Sequence, residues 1–239
     1  ISILLPLWME FLLIRLERKF ADLKENSKKA LVAYLVAGDP DMSSTLELMH
    51  QFVFSGVDII ELGVPFTDPI AEGPIIQAAH DRALQANTSL DMIFSLVEEF
   101  RSKDSETPVI LMGYINTFLA NSKALESIHE RGTDAVLIVD VPGESSLEDI
   151  GIQNKNIASI SLISPTTDND RIQKICMSSS GFIYYVTLRG VTGASNLNEN
   201  EIRTNILNIR NSTNLPVLAG FGIKTASDAR ALSQISDGV

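Results

Sequence analysis

The chain has 239 residues, a length at which a barrel or sandwich commonly folds as one domain. Its composition, 45% apolar and 21% charged, excludes disordered and collagen-like classes. Against 30 acidic residues stand 19 basic ones, and the net charge of −11 disfavours general nucleic-acid binding, which needs clustered Lys and Arg.

From Ile1 to Leu16 the chain is apolar, interrupted by Glu10. That run is shorter than the about 20 apolar residues a bilayer span needs. It also lacks the basic start and small-residue cleavage site of a signal peptide. No membrane anchor is expected. Residues 1–8 read as an upstream or non-native extension, and 9–239 as a single domain. Leu12, Leu13, Leu16, Phe20 and Leu23 share one face of an amphipathic helix. A lone Cys176 allows neither an internal disulfide nor a Cys-rich zinc site, so a reducing cytoplasm is expected.

Strand-length apolar runs then recur at Leu31–Val36, Val57–Leu62, Val109–Met112, Ala135–Val139, Ala158–Ile163, Phe182–Val186 and Pro216–Leu218. Continuous Val/Ile/Leu runs suit strands buried on both faces of a parallel sheet. Between them, helical spacing predicts helices near 43–55, 75–102, 119–131, 167–178, 199–210 and 225–235. Ser43 and Ser44 read as an N-cap, and Gly56 and Gly132 as helix ends. The segment 142–158 is the least helical connection.

This order means an α/β protein, either an open doubly wound sheet or a closed (β/α)8 TIM barrel. Unusual residues follow nearly every strand, as expected where all loops share one mouth. An open sheet would gather them at one switch point, and no GxGxxG follows the first strand. The barrel is the better reading. Seven strands are visible, with an eighth starting at Asp237-Gly238-Val239. The sequence is therefore expected to be a truncated copy, with strands one and seven left bare.

His50, His80 and His129 fall in helix candidates without metal-ligand spacing, and read as surface or satisfied histidines. No metal is expected. HExxH, CxxC, GxSxG and Walker patterns are absent. Carboxylates remain. Glu61 lies at the end of Val57–Leu62, otherwise a buried strand, and among Ile and Leu its pKa should rise toward working pH and suit acid/base chemistry. Glu72 precedes a helix near Pro74, so it reads equally as a reactive group or as a helix-start residue. Gly190–Gly193 and Gly220–Gly222, after strands six and seven, favour a bound phosphate.

The stretch Glu61–Pro74, ELGVPFTDPIAEGP, resembles the tryptophan synthase alpha chain signature, close to ELGVPFSDPxADGP. Tyr34–Pro40, Met112–Asn116, Val139–Pro142, Ile163–Thr167, Tyr184-Tyr185 with GVTG, and Gly220–Ile223 resemble its other strand ends, over about residues 9–239.

The resemblance implies a TIM-barrel lyase that splits indole-3-glycerol phosphate into indole and glyceraldehyde 3-phosphate by a retro-aldol reaction. It implies Glu61 and Glu72 as catalytic groups, and Tyr34, Tyr114, Tyr185 and Thr192 as substrate-binding residues. Gly193 and Gly222 would hold phosphate. It implies no cofactor in this chain. The partner would be a pyridoxal-phosphate-dependent beta chain in an alpha2-beta2 complex. Glu72 stands where the family has Asp, which predicts that Glu72→Asp speeds indole release. Thr187-Leu188-Arg189 departs from a Ser/Thr-richer run, and the Gly-Ser phosphate element after strand eight is not in the sequence. Two other readings are a degenerate alpha-like activator of a beta chain and a stand-alone indole-releasing lyase.

Overall fold

The computed structural model describes residues 15–121, 125–154, 156–187, 199–220, 222–223 and 225–239. Seven strands form one sheet in chain order, every neighbouring pair parallel. They are β1 (Val32–Val36), β2 (Ile59–Gly63), β3 (Val109–Gly113), β4 (Ala135–Ile138), β5 (Ala158–Ile163), β6 (Ile183–Val186) and β7 (Val217–Gly220). Each lies within two residues of its expected limits. The helices are α1 (Arg15–Glu25), α2 (Met42–Phe54), α3 (Pro74–Gln85), α4 (Leu90–Arg101), α5 (Ile115–Leu119), α6 (Asn169–Ser178), α7 (Glu199–Arg210) and α8 (Ala226–Ser233). None of the described helices is long and apolar enough to cross a membrane.

The sheet curls until its ends meet. Asp237 donates to Val217 O at 2.9 Å, and Gly238 O accepts from Ala219 N at 3.0 Å. On the other side, Ala30 N reaches Asp237 O at 3.0 Å, Val239 N reaches Ala30 O at 2.9 Å, and Val32 N reaches Val239 O at 2.8 Å. Residues 237–239 thus lace β7 to β1 at the end of the barrel where the strands begin. The expectation of bare ladder groups on both strands fails there, because three residues of extended chain suffice to pair both neighbours.

Alternation along the strands separates two cores. Val32, Tyr34, Ile59, Ile110, Met112, Leu137, Ile160, Tyr184 and Leu218 face inward, with Leu16 and Leu23 of α1 packed against them. The other parity faces the helices. Leu62, Leu111 and Val136 meet α2 and α4, while Ile183, Tyr185, Val217 and Ala219 meet α6, α7 and α8. Filled lumen and helical jacket are the two layers of a TIM barrel. The face read on the N-terminal helix holds for Leu16 and Leu23, at 0% and 4% exposure; Leu12 and Leu13 lie outside the described residues.

Three local readings need correction. Asp41, not Ser43 or Ser44, caps α2, because its carboxylate accepts from Ser44 N while both serines sit inside the first turn. The single helix expected over 75–102 is two, α3 and α4, since Asn87 turns to φ +57° and Ser89 starts the second by accepting from Met92 N. Among the described residues of 119–131, Leu119 ends short α5, Leu125 is helical and 126–131 are turns, so His129 stands on a turn. Gly56 and Gly132 do take positive φ, at +91° and +99°.

A buried charge cluster fixes the strand-start end. Asp134, just before β4, accepts from Arg15 of α1, from Arg101 Nη2 at 2.9 Å and from Val109 N at 2.8 Å. Arg101 also donates to the carbonyls of Gly132 and Thr107.

Candidate active site

Glu61 sits on β2 with the inward parity, paired in register with Tyr34 on β1 and Ile110 on β3. Its residue is 6% exposed. Oε2 accepts from Tyr184 Oη at 3.4 Å, and Oε1 is buried with no partner among the described residues. Burial in this apolar lumen pushes its pKa up from 4.5 to about 7, against the opposing pull of the Tyr184 bond. A carboxyl so placed is still partly protonated near neutral pH, where an ordinary one is ionised, and can deliver that proton.

Two glycines make room for the rings around it. A side-chain carbon on Gly63 would lie 2.2 Å from Tyr34 Oη, and one on Gly220 would lie 2.7 Å from the Tyr184 ring. The ends of β2 and β7 are therefore bare so that aromatic side chains from β1 and β6 can lie across them.

Glu72 lies on the loop between β2 and α3, half-buried. Its carboxylate accepts a hydrogen bond from the Tyr114 hydroxyl, which in turn accepts from Ala71 N at 3.0 Å. Tyr114 precedes α5 and stacks on Phe66, centroids 4.8 Å apart and planes 20° apart. Burial raises the pKa of Glu72, and the Tyr114 bond opposes that rise. Gly73 occupies the N-cap of α3 and no side chain caps that helix, so the Glu72 carboxylate is turned to Tyr114.

The mouth thus gathers Tyr34, Glu61, Glu72 and Tyr114. Burial first, then the charges of Glu72 and Glu61, push the Tyr34 hydroxyl well above its ordinary pKa. Tyr185 is not part of this group. It has the outward parity and its hydroxyl accepts from Asn205 of α7 at 2.8 Å, whereas Tyr184, one residue earlier, reaches Glu61. A one-residue step in a strand reverses the face, which is the physical reason for the exchange. Gly222 is exposed after β7 with φ +74°. Thr192 and Gly193 lie outside the described residues.

His80 of α3, which the sequence marks only as a surface or satisfied histidine, belongs to this neighbourhood too. It is buried at 1% exposure, its Nδ1 accepts from Phe66 N at 3.1 Å, and its Nε2 lies 3.4 Å from Tyr34 Oη. Its i+4 spacing from Ile76, on the face that packs on β1, was the available signal. Among the described residues no group of three or more His, Cys, Asp or Glu side chains could hold a metal ion.

The sequence model of the tryptophan synthase alpha chain family matches residues 20–239. The chain is 44% identical over 228 residues to the tryptophan synthase alpha chain of Acinetobacter baumannii, covering 94% of this chain and 85% of the relative. A solved tryptophan synthase subunit alpha from Legionella pneumophila superposes with a TM-score of 0.85 at 39% identity, over 95% of this chain and 85% of that one. A chain from the tryptophan synthase a2b2 complex of Pyrococcus furiosus superposes at 0.76 with 34% identity, over 87% and 85%. Fold and kinship agree, and the chain belongs to the tryptophan synthase alpha chain family.

Proposed function

We propose that this chain is the lyase subunit of a tryptophan synthase, cleaving indole-3-glycerol phosphate to indole and glyceraldehyde 3-phosphate in tryptophan biosynthesis. Its partner is a beta chain in an alpha2-beta2 assembly, and pyridoxal phosphate belongs to that beta chain. The cytoplasm is the compartment in which we place it.

The chemistry needs two proton transfers. Indole C3 takes a proton, the hydroxyl on the adjoining side-chain carbon gives one up, and the carbon–carbon bond breaks. Its electron pair returns to the ring while the carbon becomes an aldehyde, so no oxidant, reductant or cofactor is consumed. Glu61, protonated near neutral pH, is assigned the donation to C3. Glu72, in a more polar setting and held by Tyr114, is assigned the balancing removal. Tyr34 and Tyr114 are assigned to the walls of the indole pocket, and Gly222, with Gly193 and Thr192, to the phosphate side. Tyr184 replaces Tyr185 beside the substrate.

One observation carries this reading: a carboxyl, one of whose oxygens has no partner among the described residues, inside the lumen of a family member. The test is indole release from indole-3-glycerol phosphate, with and without a beta chain. Release by the wild type and its loss in Glu61→Gln support the reading. Activation of a beta chain without any indole release would instead mark a degenerate activator.

A further inference from the structure

We propose that His80 is a positioning residue of this reaction, fixing the Tyr34 hydroxyl as a donor turned toward the substrate and tying it to the loop that carries Glu72. The inference rests on the lyase reading above and adds to it a residue outside the pocket wall.

The direction of each bond follows from what the partners can do. A backbone amide only donates, so the bond from Phe66 N at 3.1 Å requires His80 Nδ1 to carry no proton. In a neutral imidazole the proton then sits on Nε2, which faces Tyr34 Oη at 3.4 Å. His80 donates there and the phenol accepts. The phenol's own proton is left to point elsewhere. An imidazolium would set an N–H against the Phe66 N–H, and burial lowers the His80 pKa, against the opposing charge of Asp81, which favours the neutral form.

Where that phenolic proton can go is limited. The Tyr34 ring is held against Gly63 at the end of β2, and its backbone pairs in register with Glu61. Burial first, and after it the charge of Glu72 and that of Glu61 once ionised, keep the proton on the hydroxyl. A protonated donor between two working carboxyls can hold an acceptor atom of the substrate. The bond to Phe66 links the same imidazole to the loop running from β2 to Glu72, and Phe66 itself stacks on Tyr114, the partner of Glu72.

The test uses the protein in complex with a beta chain. Tyr34→Phe and His80→Asn should each lower kcat/KM for indole-3-glycerol phosphate about 3–10-fold, the scale of one hydrogen bond. His80→Asn keeps an acceptor near Nδ1 but loses the donor at Nε2, so the double variant should be no slower than either single. His80→Gln, whose amide reaches the Nε2 position, should retain more activity than His80→Leu. Nitrogen NMR at pH 7 should show His80 as the Nε2–H tautomer. Wild-type kcat/KM in Tyr34→Phe, multiplied losses in the double variant, or an Nδ1–H or charged imidazole would each overturn the proposal. Should His80→Asn not fold, Tyr34→Phe and the tautomer decide alone. Glu61→Gln in the same assay separates the two levels. If it stays active, the lyase reading fails; if it is dead while Tyr34→Phe is unaffected, only the role of His80 fails.

Discussion

Asp134 and Glu61 are buried to nearly the same extent, at 5% and 6% exposure, at different levels of one barrel. Their surroundings differ sharply. Asp134, where β4 begins, has two guanidiniums and an amide around its oxygens. Glu61 has one distant hydroxyl and an oxygen with no partner among the described residues. Burial raises both pKa values, but Arg15 and Arg101 pull Asp134 back, while little pulls on Glu61. The strand-start end thus surrounds a charge with partners and gains a clamp between α1, α4 and β4. Near the strand ends the charge is left uncompensated, and the carboxyl holds a transferable proton instead. Burial alone therefore does not fix the state of a carboxyl; the number of donors around it does.

The sharpest way to break this contrast is to neutralise each group. Glu61→Gln should lower the rate of indole release by about 10²–10⁴-fold with the fold intact, the loss expected for an acid/base group. Steady-state kinetics alongside circular dichroism checks it. At the other end, Asp134→Ala leaves Arg15 and Arg101 facing each other at 21% and 12% side-chain exposure. Unfolding in urea should show a loss of about 3–5 kcal/mol, the cost of breaking a buried pair. A loss under 1 kcal/mol would mean that the cluster clamps nothing.

Glu61 should also weaken the fold as it ionises. Its folded pKa of about 7 exceeds the ordinary 4.5, so its contribution is fully present below pH 4.5 and is lost as pH rises through 7. Glu61→Gln should therefore be more stable than wild type at pH 8, by up to about 3 kcal/mol, and the gap should shrink toward pH 5. The same titration predicts that wild-type kcat/KM falls as pH rises through about 7. The smallest effect concerns Glu72. Side-chain length alone predicts a gain on shortening to Asp, but the carboxylate of Glu72 already reaches Tyr114. Glu72→Asp should lose that bond and slow indole release by about 3–10-fold; a faster variant would restore the argument from length.

Strand positions, helix order and Glu61 were legible because each depends on short-range pattern. The seven apolar runs fall where the strands are, and a lone carboxylate among Ile and Leu is conspicuous. Facing was harder. In β6 both parities are apolar or aromatic, so Tyr184 and Tyr185 cannot be assigned to lumen and jacket without the register to β5 and β7. His80 was hidden for a related reason, since its partners come from β1 and the loop after β2, and helical spacing carries no record of either. The 75–102 helix was overextended because Asn87, a polar residue that tolerates positive φ, gives a weaker stop signal than glycine.

The lacing of residues 237–239 onto β1 has a kinetic side. Ala30 and Gly238 touch across almost the whole described chain, while every strand pair from β1 to β7 joins sequence neighbours. Ring closure is the contact of longest loop and should form after the rising side of the folding barrier. The single hydroxyl proton of buried Ser236 is shared between Leu232 O at 2.8 Å and Gly238 O at 2.7 Å, steadying that latch. Ser236→Ala, losing about 1 kcal/mol, should speed unfolding roughly fivefold and leave the refolding rate unchanged. Stopped-flow chevrons would read both limbs. The barrel would then owe its lifetime, more than its speed of assembly, to the place where its two ends meet.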